Sequence, residues 1–184
     1  MRIDSHHHFW NYSADEYGWI NENMTILQRD YLPADLQSEL ATTDIDGVIS
    51  VQARQSVVET EWLTSMAQQH DFIRGVVGWV PLADPQVGEI LAKLSRAPEL
   101  KAVRHVVHDE PDDQFLLGAE FNRGISQLRN FNLVYDILIF AKHLKTTIDF
   151  VDHHPGQSFV LDHIAKPTIQ AKQFDEQWKV SFCE

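Results

Sequence analysis

Short apolar, β-branched runs alternate with stretches of helical periodicity along nearly the whole chain, and this alternation restricts the fold more than any single residue does. Strands are expected near Ile3–Phe9, Gly47–Ala53, Gly75–Val80, Lys101–Val107, Leu133–Ile139 and Ser158–Ile164. Helices are expected near Pro33–Thr42, Glu59–His70, Gln86–Ser95, Phe115–Asn130 and His143–Asp152. Within Thr60–Gln69, the apolar Trp62, Leu63, Met66 and Ala67 recur at helical spacing. Runs such as Val48-Ile49-Ser50-Val51 and Val103–Val107 suit a parallel sheet covered on both faces. A β/α unit repeated this often implies an α/β fold, either an open doubly wound sheet or a barrel. No Gly-rich phosphate loop follows any strand, which disfavours nucleotide binding. No low-complexity linker divides residues 1–184, so one domain is expected. Six strands use up the 184 residues, whereas an eight-stranded barrel typically needs ~250. Either the sheet is open or the barrel is incomplete.

Charge and composition remove several classes of function. A net charge of −12 is wrong for nucleic acid, which rewards basic patches. No apolar run approaches the ~20 residues of a membrane helix. Met1-Arg2-Ile3-Asp4-Ser5 lacks the apolar region of a signal peptide, so a cytoplasmic protein is expected. Cys183 is the one cysteine, which excludes an intrachain disulfide and a cysteine-based zinc site.

The strongest local signal is Asp4-Ser5-His6-His7-His8 in the first strand. Strand side chains alternate, so Asp4, His6 and His8 are expected on one face. Two imidazoles spaced i, i+2 can reach one ion, and neutral imidazole nitrogen suits zinc and similar metals. The alternatives are a surface cluster or an affinity tag, though a tag would be a longer uniform run. In the second strand Ser50, Gln52 and Arg54 alternate with apolar residues. A polar face is costly in a core unless it lines a polar cavity. Arg54 suits a carboxylate or hydroxyl-rich ligand, or equally a salt bridge at the rim. In the fourth strand Arg104 and His108 share a parity and His105 takes the other. Arg104 can bind ligand or form a buried ion pair, His105 is open between ligand and structural roles, and His108 reads as a loop residue. Asp136 in the fifth strand needs a partner, either substrate or Arg104 on the adjacent strand. His163 near the end of the sixth strand is a candidate ligand or acid/base group, against a core histidine bonded to a backbone carbonyl. Lys166, before Pro167, is a candidate rim cation. His143, His153 and His154 read as solvated.

Asp4-Ser5-His6-His7-His8-Phe9-Trp10 resembles the opening strand of the amidohydrolase-related family. Val51-Gln52-Ala53-Arg54-Gln55, Gly75-Val76-Val77-Gly78-Trp79, Val103-Arg104-His105-Val106-Val107 with Asp109-Glu110-Pro111-Asp112-Asp113, and Leu161-Asp162-His163-Ile164-Ala165-Lys166-Pro167 resemble its sugar-lactonase members of the L-fuconolactonase and L-rhamnonolactonase type. The likeness runs from about Arg2 to about Pro167. It implies a (β/α)8 barrel of which about six of the eight units are present. It also implies His6 and His8 at the end of the first strand and His163 at the end of the sixth, as catalytic groups and metal ligands. In metal-using relatives such histidines hold one divalent ion, zinc or manganese; in some lactonase relatives the site works without metal. Gln52, Arg54, Arg104 and His105 become substrate-binding candidates, and the reaction becomes hydrolysis of a sugar-acid lactone to the open acid.

The family's last two strands have no counterpart, nor does the Asp that serves there as general base. The resemblance therefore also admits a truncated, inactive remnant that still binds metal or a sugar acid. An unclosed barrel exposes strand edges and an apolar interior, so pairing of two copies through the open side is expected.

Overall fold

The computed structural model describes residues 1–171 and 178–180. Cys183 and the last residues of the tail lie outside the described residues. The chain separates into two compact units, Met1–Trp79 with Ala97–Lys101, and Val80–Arg96 with Ala102–Glu184.

The first unit carries β1 (Ile3–His7), α1 (Pro33–Leu40), β2 (Gly47–Val51), α2 (Val57–Gln69) and β3 (Ile73–Gly78). β1 pairs parallel with β2, and β2 with β3. Val48, Val51, Leu63, Val76 and Val77 form the packed interior. Helix starts follow their local chemistry. Pro33 opens α1, and Asp35 three residues after Leu32 reaches back to accept from its amide at 2.9 Å. Ser56 caps α2 by accepting from the Glu59 amide. Gly78, at the end of β3, lies where an added Cβ would stand 2.3 Å from the Thr60 side chain, so only glycine lets this strand end meet α2.

The second unit carries α3 (Val87–Leu94), β4 (Leu100–Val106), α4 (Ala119–Leu128), β5 (Val134–Leu138), α5 (Leu144–Asp152) and β6 (Phe159–Leu161), with the first two residues of β4 contributed by the first unit. β4, β5 and β6 pair parallel in that order, with Arg104 opposite Asp136 and Asp136 opposite Val160. α4 buries Phe121, Gly124, Ile125 and Leu128, the i, i+3, i+4, i+7 stripe of a half-covered helix. Gly124 is obligatory: a Cβ there would sit 2.0 Å from the Leu82 carbonyl oxygen. Asn132, left-handed at φ 56°, ends the following turn and lets the chain enter β5.

All six strands and all five helices expected from the sequence are present within a few residues. The sixth strand is the main exception. It ends at Leu161, and His163, Ile164, Ala165 and Lys166 all have positive φ, between 48° and 60°. These residues form a left-handed turn, so alternation along an extended strand does not set the direction of His163.

Candidate active site

In the first unit the histidines sit at the end of β1. The register with β2 slips between Asp4 and His7, so strict alternation from Asp4 does not carry through the strand. Despite the slip the rings of His6 and His8 meet edge to face, centroids 5.0 Å apart. His8 Nδ1–H donates to the Val51 carbonyl at 2.8 Å. That bond fixes the tautomer and places the ring's lone pair on Nε2, the way a metal-binding histidine is usually oriented. His7 is different. Its Nε2 lies 3.3 Å from the Ser50 hydroxyl, and burial lowers its proton affinity. A cavity of ≈ 340 Å³ lies beside His7, His8 and Phe9, but its remaining walls are Arg29–Leu32 and α1, so it belongs to the helix side of β1 and does not define the site.

The polar residues of β2 are buried as expected: Ser50 and Gln52 have no exposed surface. Arg54, one turn further, is held by Glu16 and lies 4.0 Å from Glu59, with its guanidinium over the Tyr17 ring. Glu59 is the hub. Its buried carboxylate accepts from the Ala53 and Arg54 amides at 3.0 Å and from the Tyr17 hydroxyl at 3.2 Å. Burial pushes its pKa up against those bonds. The sequence reading missed this role, although Ser56-Val57-Val58-Glu59 carries a capping-box pattern that marks a helix start and a fixed glutamate.

In the second unit Arg104 is buried and bonds Asp162 through Nη1 at 2.9 Å. The expected partner on the adjacent strand, Asp136, lies opposite it in the register. Burial and the nearby Asp162 charge raise the Asp136 pKa to about 7, with Arg104 opposing. Two carboxyl groups thus lie beside one cation, and Asp162, which had no assigned role, is bonded to it. The missing signal was the turn that swings Asp162 out of the strand pattern. His163 is half exposed on that turn, and burial, together with Lys166 and Arg104, lowers its pKa despite Asp162. The shift favours the neutral imidazole, the form that binds a metal or accepts a proton.

His105 is placed elsewhere. Its Nε2–H donates to Glu110 at 2.7 Å, and its ring stacks on Phe115 and touches Phe121 of α4. It faces the helix layer, opposite in parity to Arg104. His108 lies in the turn after β4, as expected, with its ring against Phe140. His143 corrects the expectation of a solvated residue. It is buried, accepts from the Phe140 amide through Nδ1 and donates to Asp113 at 3.2 Å. His154 is half buried and donates to Asn122 at 2.7 Å.

Residues 3–181 match the amidohydrolase family model, and the chain belongs to that family. The chain is 37% identical over 189 residues to L-fucono-1,5-lactonase of Burkholderia multivorans, an alignment covering all of this chain and 64% of that protein. A crystal structure of a Burkholderia multivorans amidohydrolase with bound HEPES superposes with a TM-score of 0.92 at 36% identity, over 99% of this chain and 65% of that one. A second crystal form with bound zinc gives 0.90 at 37% identity, over 99% and 64%. The fold is therefore α/β, of the (β/α)8-barrel class, with six strands among the described residues, and the chain spans about 64% of the length of the lactonase it matches.

Within the first unit, imidazoles at His6 and His8, one with its tautomer set by a carbonyl, are donors of the kind that suits a divalent ion of the zinc type. The second unit carries an imidazole of its own at His163. No helix among the described residues is long and apolar enough to cross a membrane.

Proposed function

We propose that this chain is a cytoplasmic sugar-acid lactone hydrolase in which His6, His8 and His163 act on one lactone. The observation that carries the reading is His8, whose Nδ1–H donates to the Val51 carbonyl beside His6, so that the ring is held in the tautomer with its lone pair on Nε2. The substrate class comes from the similarity to L-fucono-1,5-lactonase. A zinc or manganese ion, held by His6, His8 and His163, would supply polarisation of the lactone carbonyl. The chain's own groups do the rest. Where the site works without metal, so that His163 ligates nothing, its neutral imidazole takes the proton of the attacking water and returns it to the departing ring oxygen. Arg54, fixed by Glu16 and Glu59, and Gln52 bind the hydroxyls or the nascent carboxylate. His105 has no part, because Glu110 and Phe115 engage it.

The test is proton release from L-fucono- and L-rhamnono-lactones, with and without added zinc or manganese, beside a His6→Ala control. Turnover abolished by His6→Ala supports the reading, and turnover indifferent to it overturns it. A second reading is binding of metal or a sugar acid without turnover. Zinc or L-fuconate binding by a chain that hydrolyses neither lactone would select it.

We propose further that two copies associate through the surface around β6. β6 pairs with β5 at one end of the strand order, and Val160, Ile164 and Ile169 are exposed there. A concentration-independent monomer in light scattering would rule this out.

A further inference from the structure

The left-handed turn after β6 is the most unusual backbone in the described chain, and nothing in the proposed reaction accounts for it. His163, Ile164, Ala165 and Lys166 have φ of 51°, 48°, 60° and 49°, and none is glycine. L-residues rarely enter this region in succession, because Cβ crowds the following carbonyl. Such conformations persist where surrounding contacts over-determine them, and they cluster at functional sites. Three contacts fasten this turn. At its start Asp162, buried, is bonded by Arg104 of β4 at 2.9 Å. Across it the Lys166 amide donates to the His163 carbonyl at 2.9 Å. On its outer side the Trp178 indole N–H donates to the Ile164 carbonyl at 2.9 Å. Ala165 is fully buried beneath it, and the Lys166 ammonium lies over the Phe140 ring at 5.4 Å.

We propose that Arg104 and Trp178 are positioning residues that hold this turn, and through it His163, in place. Arg104 thus acts through Asp162 and not on substrate. The inference rests on the reading of His163 as an active-site group, but the clamp itself is a property of the free protein. A neutral side chain in place of Arg104 removes the ion pair that holds the buried Asp162 carboxylate, so the turn loses its anchor while β4 keeps its place in the sheet. Loss of the indole donor frees the Ile164 carbonyl without disturbing any buried charge.

The experiment is hydrogen exchange at the amides of His163–Lys166, with the ring resonances of His163 read by NMR. Wild-type protein is compared with Arg104→Met, Arg104→Lys and Trp178→Phe. The expected result is at least tenfold faster exchange in this turn for Arg104→Met, with the Val103 and Ile137 amides unchanged and the His163 resonances displaced. Arg104→Lys should recover part of both effects. Trp178→Phe, a change near the surface, should give a smaller acceleration in the same amides, and it keeps the test decisive if Arg104→Met does not fold. Wild-type exchange and unmoved His163 resonances in Trp178→Phe, or acceleration in Arg104→Met spread evenly over β4 and β5, would overturn the clamp. The lactone assay then separates the two readings. A clamp confirmed by exchange, with lactone turnover that survives His163→Ala, would leave the turn's mechanics standing and remove its catalytic purpose.

Discussion

The ends of β1 and β6 each present a histidine, and they hold it by different means. His8 sits on ordinary backbone and is oriented by one neutral hydrogen bond, from its Nδ1 to the Val51 carbonyl. His163 sits on a left-handed turn anchored by a buried ion pair. The first arrangement costs little, because strand pairing has already placed the carbonyl. The second stores conformational strain and desolvated charge, so it stands only while its anchor is intact. The neighbouring cations differ in the same way. Arg54 is partly exposed and is set by Glu16 and Glu59, which leaves it able to meet a ligand, whereas Arg104 is consumed within the fold. On the proposed reading the first region binds ligand on a settled scaffold, whereas the second is held under tension.

The sharpest way to break this contrast is to remove the anchor. Arg104→Met should lower unfolding stability by about 3–5 kcal/mol, because it strands the buried Asp162 charge. Replacing both partners, Arg104→Met with Asp162→Asn, should recover a large part of that loss, measured by denaturant titration.

Asp136 sharpens the same contrast through pH. Its carboxyl holds a proton up to about 7 in the folded chain, against an ordinary value of 3.8. The folded state therefore binds the extra proton within that window. The stability this group contributes is complete below about pH 4 and is lost as pH rises through 7. The loss is of the order of 2–4 kcal/mol. Asp136→Asn should remove this decline, so the stability difference between variant and wild type should grow in the variant's favour from pH 4 to pH 7.5. A constant difference across that range would deny the coupling.

In the first region the corresponding hub is Glu59. Glu59→Ala should cost roughly 1–3 kcal/mol by leaving the Ala53 and Arg54 amides and the Tyr17 hydroxyl without their acceptor. It should also weaken binding of a sugar acid while leaving zinc affinity near wild type. The smallest effect is a gain. Ile164→Asn places at φ 48° a residue that tolerates the left-handed region, on a site that is 42% exposed. It should raise stability by up to about 1 kcal/mol in thermal unfolding. A loss would mean that the turn is not strained.

What the sequence made legible follows from where the backbone is regular. Alternation along β2 placed Ser50 and Gln52 on a buried polar face, and i, i+2 spacing brought His6 and His8 together. The six strands and five helices were readable because their periodicity and punctuation agree. Legibility failed where the backbone departs from its period. The register slip between Asp4 and His7 breaks the face assignment of Asp4, and the left-handed turn removes His163 from the strand that parity had extended to Ile164. Neither departure is announced by a glycine. Tertiary partners were hidden for a related reason. Arg104 could be given to Asp136 by strand adjacency, but its bond to Asp162 joins it to a residue 58 positions away, and the buried His143 is bonded to Asp113 thirty residues away.

The central claim is that histidines from the two regions serve one reaction, and double-mutant kinetics test it most directly. Hydrolysis of L-fucono-1,5-lactone would be compared for wild type, His6→Ala, His163→Ala and the double variant, each confirmed as folded. Groups that act as one unit are non-additive, so each single change should lose at least about 100-fold and the double variant should be no worse than the poorer single. Losses that multiply in the double variant, or a His163→Ala protein that keeps wild-type turnover, would contradict the account.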